Sequence, residues 1–165
     1  MSRKRVRSPE AVQHWLMKSE PDKFSIDDLK ASGRSPWDGV RNYAARNNMK
    51  AMNVGDRVLF YHSNAKPPGV VGLATVVRTA YPDHTALDPA SPYHDAKATK
   101  EKNPWEMVDI KFGEKFPALL SLERLKGEKE LREMQLFSRT RLSVQPVTKG
   151  EYEHILWLGR GGGKG

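Results

Sequence analysis

Seven consecutive residues, Trp37-Asp38-Gly39-Val40-Arg41-Asn42-Tyr43, carry two aromatic rings, a guanidinium and a side-chain amide around one glycine. Phe60-Tyr61-His62-Ser63-Asn64 combines rings with a hydroxyl and an amide, and Lys18-Ser19-Glu20 sets a cation, a hydroxyl and a carboxylate in a row. Arg141, Ser143 and Gln145 alternate along a fourth stretch, as residues on one face of a strand would. This inventory suits a flat heterocycle: aromatic faces stack on it, and amides and hydroxyls bond its edge. The same residues have plainer uses. Trp37 serves equally as core, and His62, in step with Val58 and Phe60, suits a buried imidazole. Trp15, Trp105 and Trp157 are expected in the core.

Catalytic chemistry finds less support. The five histidines, His14, His62, His84, His94 and His154, include no pair at the i, i+4 spacing of a helical zinc site. The stretch Pro82-Asp83-His84, with Asp88 and His94-Asp95, offers oxygen and nitrogen ligands, but turn chemistry accounts for them as well. No Gly-x-Ser-x-Gly elbow occurs, and the absence of cysteine removes thiol nucleophiles, disulfides and thiolate metal sites. The C-terminal GRGGGKG lacks the Ser or Thr and the following helix of a phosphate loop. Glu20 and His62 are the acid and base an enzyme would have to use. The expectation is a binding module with no catalytic residue, metal or cofactor. An enzyme acting on modified nucleotides, or an interaction scaffold, is the alternative.

The elements that must position these groups are short. Residues 13–18 and Arg57 to His62 read as strands, the second alternating Val58 and Phe60 against Leu59 and Tyr61. Val70 to Arg78 is a β-branched strand whose Gly72 marks a bulge. Trp105 to Phe112 and Arg141 to Val147 complete at least five strands. Ser25 to Asp28 and Thr148 to Glu151 are capping-box starts of helices, the first stopped at Gly33. Helices are also expected over residues 42–52, 121–125 and 128–137. Tyr81 to Pro104, with four prolines, reads as a long loop. Strands not interleaved with long helices argue against a parallel α/β sheet. The expected class is α+β: a small, mostly antiparallel, partly closed barrel flanked by short helices.

The chain has 165 residues, the length of one domain, and no apolar run approaches the roughly 20 residues of a membrane span. Its net charge of +8 is unevenly placed. Residues 1–10 hold Arg3, Lys4, Arg5 and Arg7 against Glu10, and residues 160–165 add two cations. The 149 residues between them carry 22 basic and 19 acidic side chains. The expectation is a nearly balanced body over 13–158, a basic flexible tail at 1–10 and a flexible Gly-rich tail at 160–165. A basic tail suits a polyanion such as nucleic acid. No apolar run follows the basic start, so an intracellular protein is expected, nuclear in a eukaryote and cytoplasmic in a bacterium; a monomer is expected as well.

Several runs, in order, resemble the EVE domain over about residues 14–157. They are Trp15-Leu16-Met17-Lys18-Ser19-Glu20-Pro21, Pro36-Trp37-Asp38-Gly39-Val40-Arg41-Asn42-Tyr43, Ala45-Arg46-Asn47-Asn48-Met49 and Leu59-Phe60-Tyr61-His62-Ser63-Asn64. Val54-Gly55-Asp56, Pro68-Gly69-Val70-Val71-Gly72, Ala80-Tyr81-Pro82-Asp83, Ser91-Pro92-Tyr93, Met107-Val108-Asp109 and Arg141-Leu142-Ser143-Val144-Gln145-Pro146-Val147 continue it. The resemblance implies a PUA-like barrel and a reader of modified bases in nucleic acid, with modified cytosine in DNA ahead of modified RNA. The implied pocket comprises Lys18, Ser19, Glu20, Trp37, Val40, Arg41, Asn42, Tyr43, Tyr61, His62, Ser63, Ser143 and Gln145. Trp37 would stack on a flipped-out base, Asn42, Ser19 and Ser143 would bond its edge, and Val40 would accept a methyl group. Arg46 and Lys50, with Arg41 and the tail residues Arg3, Lys4, Arg5 and Arg7, would hold phosphates without reading sequence.

Overall fold

The computed structural model describes residues 12–163. The basic run Arg3 to Arg7, with the N-terminal tail inferred from it, lies outside the described residues. In chain order the elements are β1 (His14–Ser19), α1 (Ile26–Ser32), β2 (Arg34–Pro36), α2 (Tyr43–Lys50), β3 (Arg57–His62) and β4 (Gly69–Pro82). After a 3-10 turn at His84–Leu87 come β5 (Glu106–Ser121), α3 (Leu122–Lys126), a second 3-10 turn at Lys129–Leu131, α4 (Gln135–Ser138), β6 (Val144–Val147) and α5 (Lys149–Gly159).

Alternation along the strands divides the apolar residues between two clusters, as a period of two requires. Trp15, Met17, Val58 and Phe60 join Ile26 and Leu29 of α1 and Ala45 and Met49 of α2. Leu16, Leu59 and Tyr61 join Leu125, Leu136, Ile155 and Leu158 from α3, α4 and α5. Both capping boxes form: Ser25 and Asp28 start α1, and Thr148 and Glu151 start α5. Each side chain there bonds a backbone N–H that the helix itself leaves unpaired.

One six-stranded sheet runs in the order β2-β5-β4-β3-β1-β6. The α+β class is as the sequence implied. Hydrogen bonding leaves the sheet open at β2 and β6, and α2, packed against β4, β5 and β6, spans part of the gap with side chains. All pairings are antiparallel except β1 with β3, which is parallel with His14 opposite Arg57 and Ser19 opposite His62. This exception brings the C-terminal ends of two strands to one place.

The bulge read from Gly72 is present. Phe60 faces Gly72 and Tyr61 faces Val70, so Val71 is the extra residue. A Cβ on Gly72 would stand 2.2 Å from the Glu114 carbonyl oxygen of β5. Gly72→Ala should therefore lower stability by about 1–3 kcal/mol through overpacking. A fall in the urea midpoint at constant m-value would register it, and an unchanged midpoint would mean that β4 and β5 separate there freely.

Several expectations are corrected. β5 continues to Ser121, nine residues past its expected end at Phe112, because β4 runs on beside it and Leu120 pairs with Val70. β6 begins only at Val144, and Arg141 to Ser143 form a turn before it. Trp157 is 53% exposed, because α5 buries Tyr152, Ile155 and Leu158 and turns Trp157 away from them. Past α5, Arg160 pairs with Glu114 at 2.8 Å and the Gly162 N–H donates to the Trp157 carbonyl.

Candidate functional site

A cavity of about 580 Å³ opens where the ends of the parallel pair β1 and β3 meet the segment after β2. Three backbone bonds gather its walls. The Ser63 N–H donates to the Ser19 carbonyl, the Lys18 N–H to that of Ser143 and the Trp37 N–H to that of Val108. Lys18, Ser19 and Glu20 thus share the rim with Ser63 and with Thr140, Arg141 and Ser143, while Pro36 to Arg41 form the opposite wall.

Trp37 lies at the junction of cavity and core. It is 6% exposed, lines the cavity, and packs near a right angle to Phe24 (6.2 Å) and Phe60 (5.4 Å). Trp37 is therefore at once part of the core and part of the cavity wall. Phe24 and Val40 extend the apolar lining.

Arg41 is built into the scaffold. Its guanidinium donates to Asp83 at 3.0 Å, to Thr85 Oγ1 at 3.1 Å and to the Tyr93 carbonyl at 2.7 Å. Asp83 is fully buried and also accepts from the Gly39 N–H at 2.8 Å. Burial alone would raise the Asp83 carboxyl, but bonds from Thr85, Gly39 and Arg41 outweigh it and hold the group below the usual carboxylate range. Gly39 needs its lack of a side chain: its φ is +79°, and a Cβ would meet the Tyr93 ring at 2.8 Å.

Asp38 contrasts with Asp83. It is half-buried, lines the cavity, and its carboxylate bonds to no other residue among those described. Burial, then the neighbouring Asp83, push its carboxyl above the ordinary value. The cations divide likewise. Lys18 donates to the Thr140 carbonyl at 2.8 Å, and burial lowers its ammonium. Lys23 lies 3.6 Å from Glu20. Arg141 is exposed on the rim, with no side-chain bond or ion pair among the described residues.

Of the residues inferred from sequence, Lys18, Ser19, Glu20, Trp37, Val40, Arg41, Ser63 and Ser143 line this cavity. Asn42, Tyr43, Tyr61, His62 and Gln145 do not. The Asn42 side chain caps α2, accepting from the Ala45 N–H. Tyr43 is exposed and stacks on Trp105 at 4.8 Å. Tyr61 belongs to the other apolar cluster, beneath the Lys18 ammonium. His62 Nε2 accepts from the Ile26 N–H at 3.1 Å, which requires that nitrogen unprotonated, and burial lowers its pKa accordingly. Gln145 is buried and donates to the Arg139 carbonyl at 2.7 Å, tying down the turn that carries Thr140 to Ser143. Arg46 donates to the Pro104 carbonyl and Lys50 lies 3.6 Å from Glu106, so both are engaged within the fold. Phe24, Asp38, Tyr93, Thr140 and Arg141 also line the cavity. Within the 83–95 loop, Asp95 accepts from Trp105 Nε1 and Asp88 from the Ala90 N–H.

The family model of the EVE domain matches residues 13–158. The chain belongs to the EVE domain family. Human thymocyte nuclear protein 1 is 45% identical to it over an alignment that covers 88% of this chain and 73% of that protein. A hypothetical protein from Leishmania major superposes with a TM-score of 0.90 at 62% identity, over 92% of this chain and 97% of that one. The human THYN1 protein, solved in complex with 5-methylcytosine-containing DNA, has a TM-score of 0.86 at 42% identity, over 89% and 97% of the two chains. These likenesses place the EVE domain's open sheet and helices within the PUA-like α+β class. Among the described residues no helix is long and apolar enough to cross a membrane.

Proposed function

We propose that this EVE domain reads 5-methylcytosine in DNA, taking the base, swung out of its strand, into the cavity beside Trp37. The observation that carries the reading is the cavity's two-sided lining. Trp37, Phe24 and Val40 are apolar, while Ser19, Asp38, Ser63 and Ser143 offer hydrogen-bonding groups. A related chain solved with 5-methylcytosine-containing DNA supports the choice of ligand. Unstacking costs a few kcal/mol for a paired base, and stacking returns about 1–3 kcal/mol. One methyl group against an apolar wall adds about 1–3 kcal/mol, so discrimination from cytosine is modest. The names of the curated relatives support nuclear residence as part of the same reading.

Anisotropy titrations with duplexes differing only at one cytosine test this. Affinity about fivefold or more higher for the methylated duplex is expected, and equal affinities would reject the reading. Arg141→Ala should weaken both duplexes alike and lower the salt slope by about one counterion, since a phosphate contact carries no base information.

A further inference from the structure

Among the groups lining the cavity, Asp38 stands out as the carboxylate the fold leaves without a partner. Glu20 accepts from Asn64 Nδ2 at 3.1 Å and lies near Lys23. Asp83, next to Asp38, is saturated by Gly39, Arg41 and Thr85. Arg41 is turned to Asp83, Thr85 and the Tyr93 carbonyl. The cation nearest in sequence is thus already used, and Asp38 is left half-buried beside Trp37 in the cavity lining, with no donor from another described residue. Its carboxylate has only its own backbone N–H as a donor, and a partly buried carboxylate with so few donors is costly to keep. Its unfilled acceptor sites are matched by a ligand that brings N–H groups.

We infer that Asp38 is a specificity-determining residue that accepts a hydrogen bond from the exocyclic amino group of the bound base, so that the cavity takes 5-methylcytosine and rejects thymine. The inference rests on the function proposed above and adds to it a discrimination that the methyl group cannot supply, because both bases carry a 5-methyl. They differ at position 4. Cytosine presents an N–H donor there and thymine a carbonyl oxygen. A carboxylate aimed at that position bonds the first and faces an acceptor in the second. Thymine's one ring N–H lies between two carbonyl oxygens, so a carboxylate that reaches it still stands beside an acceptor.

The groups around Asp38 agree with this role. Burial and then Asp83 raise its proton affinity, while His84, its own backbone N–H and Arg41 oppose that. A carboxylate held against burial and a like charge destabilises the folded protein at neutral pH. Asp38→Asn removes the charge at nearly the same shape, so it should melt at or above the wild-type temperature. A carboxamide can also turn either its oxygen or its NH₂ toward the base, so it accepts both.

The experiment uses the whole chain and duplexes in which 5-methylcytosine, cytosine or thymine stands opposite an abasic position, so that no pairing energy enters. Wild type should bind the thymine duplex about tenfold or more weaker than the 5-methylcytosine duplex. In Asp38→Asn that ratio should fall toward one, mainly through tighter thymine binding. If wild type prefers 5-methylcytosine to cytosine yet binds thymine equally, or if Asp38→Asn leaves the thymine ratio unchanged, the role of Asp38 is overturned and the reader function stands. If wild type does not separate 5-methylcytosine from cytosine, the reader function itself fails. Asp38→Ser is the second variant, and it should lose the thymine ratio as well. A large drop in melting temperature for both variants would mark Asp38 as structural and overturn the proposal.

Discussion

Trp37→Ala is expected to lower the unfolding free energy by about 3–5 kcal/mol, the usual cost of emptying a large aromatic site in a core. Small domains have only about 5–15 kcal/mol in total, so the variant should unfold at clearly lower urea. The reason is the double position of the ring. It is 6% exposed, held near a right angle to Phe24 and Phe60, and still lines the cavity. A loss of DNA binding in this variant would thus mix unfolding with loss of a stacking surface. Trp37→Leu separates the two, since it keeps apolar volume and removes the π face. At a temperature where it is fully folded, it should bind a 5-methylcytosine duplex about fivefold or more weaker, from stacking worth about 1–3 kcal/mol. Leucine binding as tightly as tryptophan would show that Trp37 supports the cavity without touching the base.

What the sequence reveals here is mostly local. β3 is legible from Arg57 to His62 because a short run of strand-forming residues, Val58 to Tyr61, decides it within six residues. Both capping boxes are legible because their partners stand three residues apart. The Gly72 bulge is legible because glycine within a β-branched run has few other uses. Failures begin where the partner is distant or belongs to another element. His62 is claimed by the Ile26 N–H, 36 positions away, and Gln145 by the carbonyl of Arg139 in the turn after α4. Asn42 could have been read from sequence, since an amide just before a run of helix formers is a standard N-cap. Phe24, Asp38, Tyr93, Thr140 and Arg141 come from four separate segments, brought together by the parallel pairing of β1 with β3, the pairing of β6 with β1, the bond from Trp37 to Val108 of β5 and the bond from Arg41 to Tyr93. The resemblance pointed to a pocket, but which side chains face it depended on the register of three strands.

Asp83→Ala is expected to be as costly as losing Trp37, by a different route. The carboxylate is fully buried and fastens two segments: it accepts from Gly39 and Arg41 on the cavity wall and from Thr85 in the long loop. Removing it leaves the Arg41 guanidinium, 23% exposed, without its counter-charge and the Gly39 N–H without its acceptor. Breaking a buried pair from one side costs about 3–5 kcal/mol. The acid limb of the stability profile should change as well. A carboxyl held below its unfolded value, about 3.9 for Asp, contributes stability that is present above that pH and is lost as pH falls through the folded value. Asp83→Asn should therefore flatten the loss of stability below about pH 4. Asp38 has the opposite sign: its raised carboxyl makes the protein less stable as pH rises through the folded value. Comparing urea midpoints of wild type, Asp83→Asn and Asp38→Asn across acid and neutral pH reads both slopes. If Asp83→Asn kept the wild-type acid limb, the long loop would be held to the cavity wall by Arg41 and Tyr93 without help from the Asp83 charge.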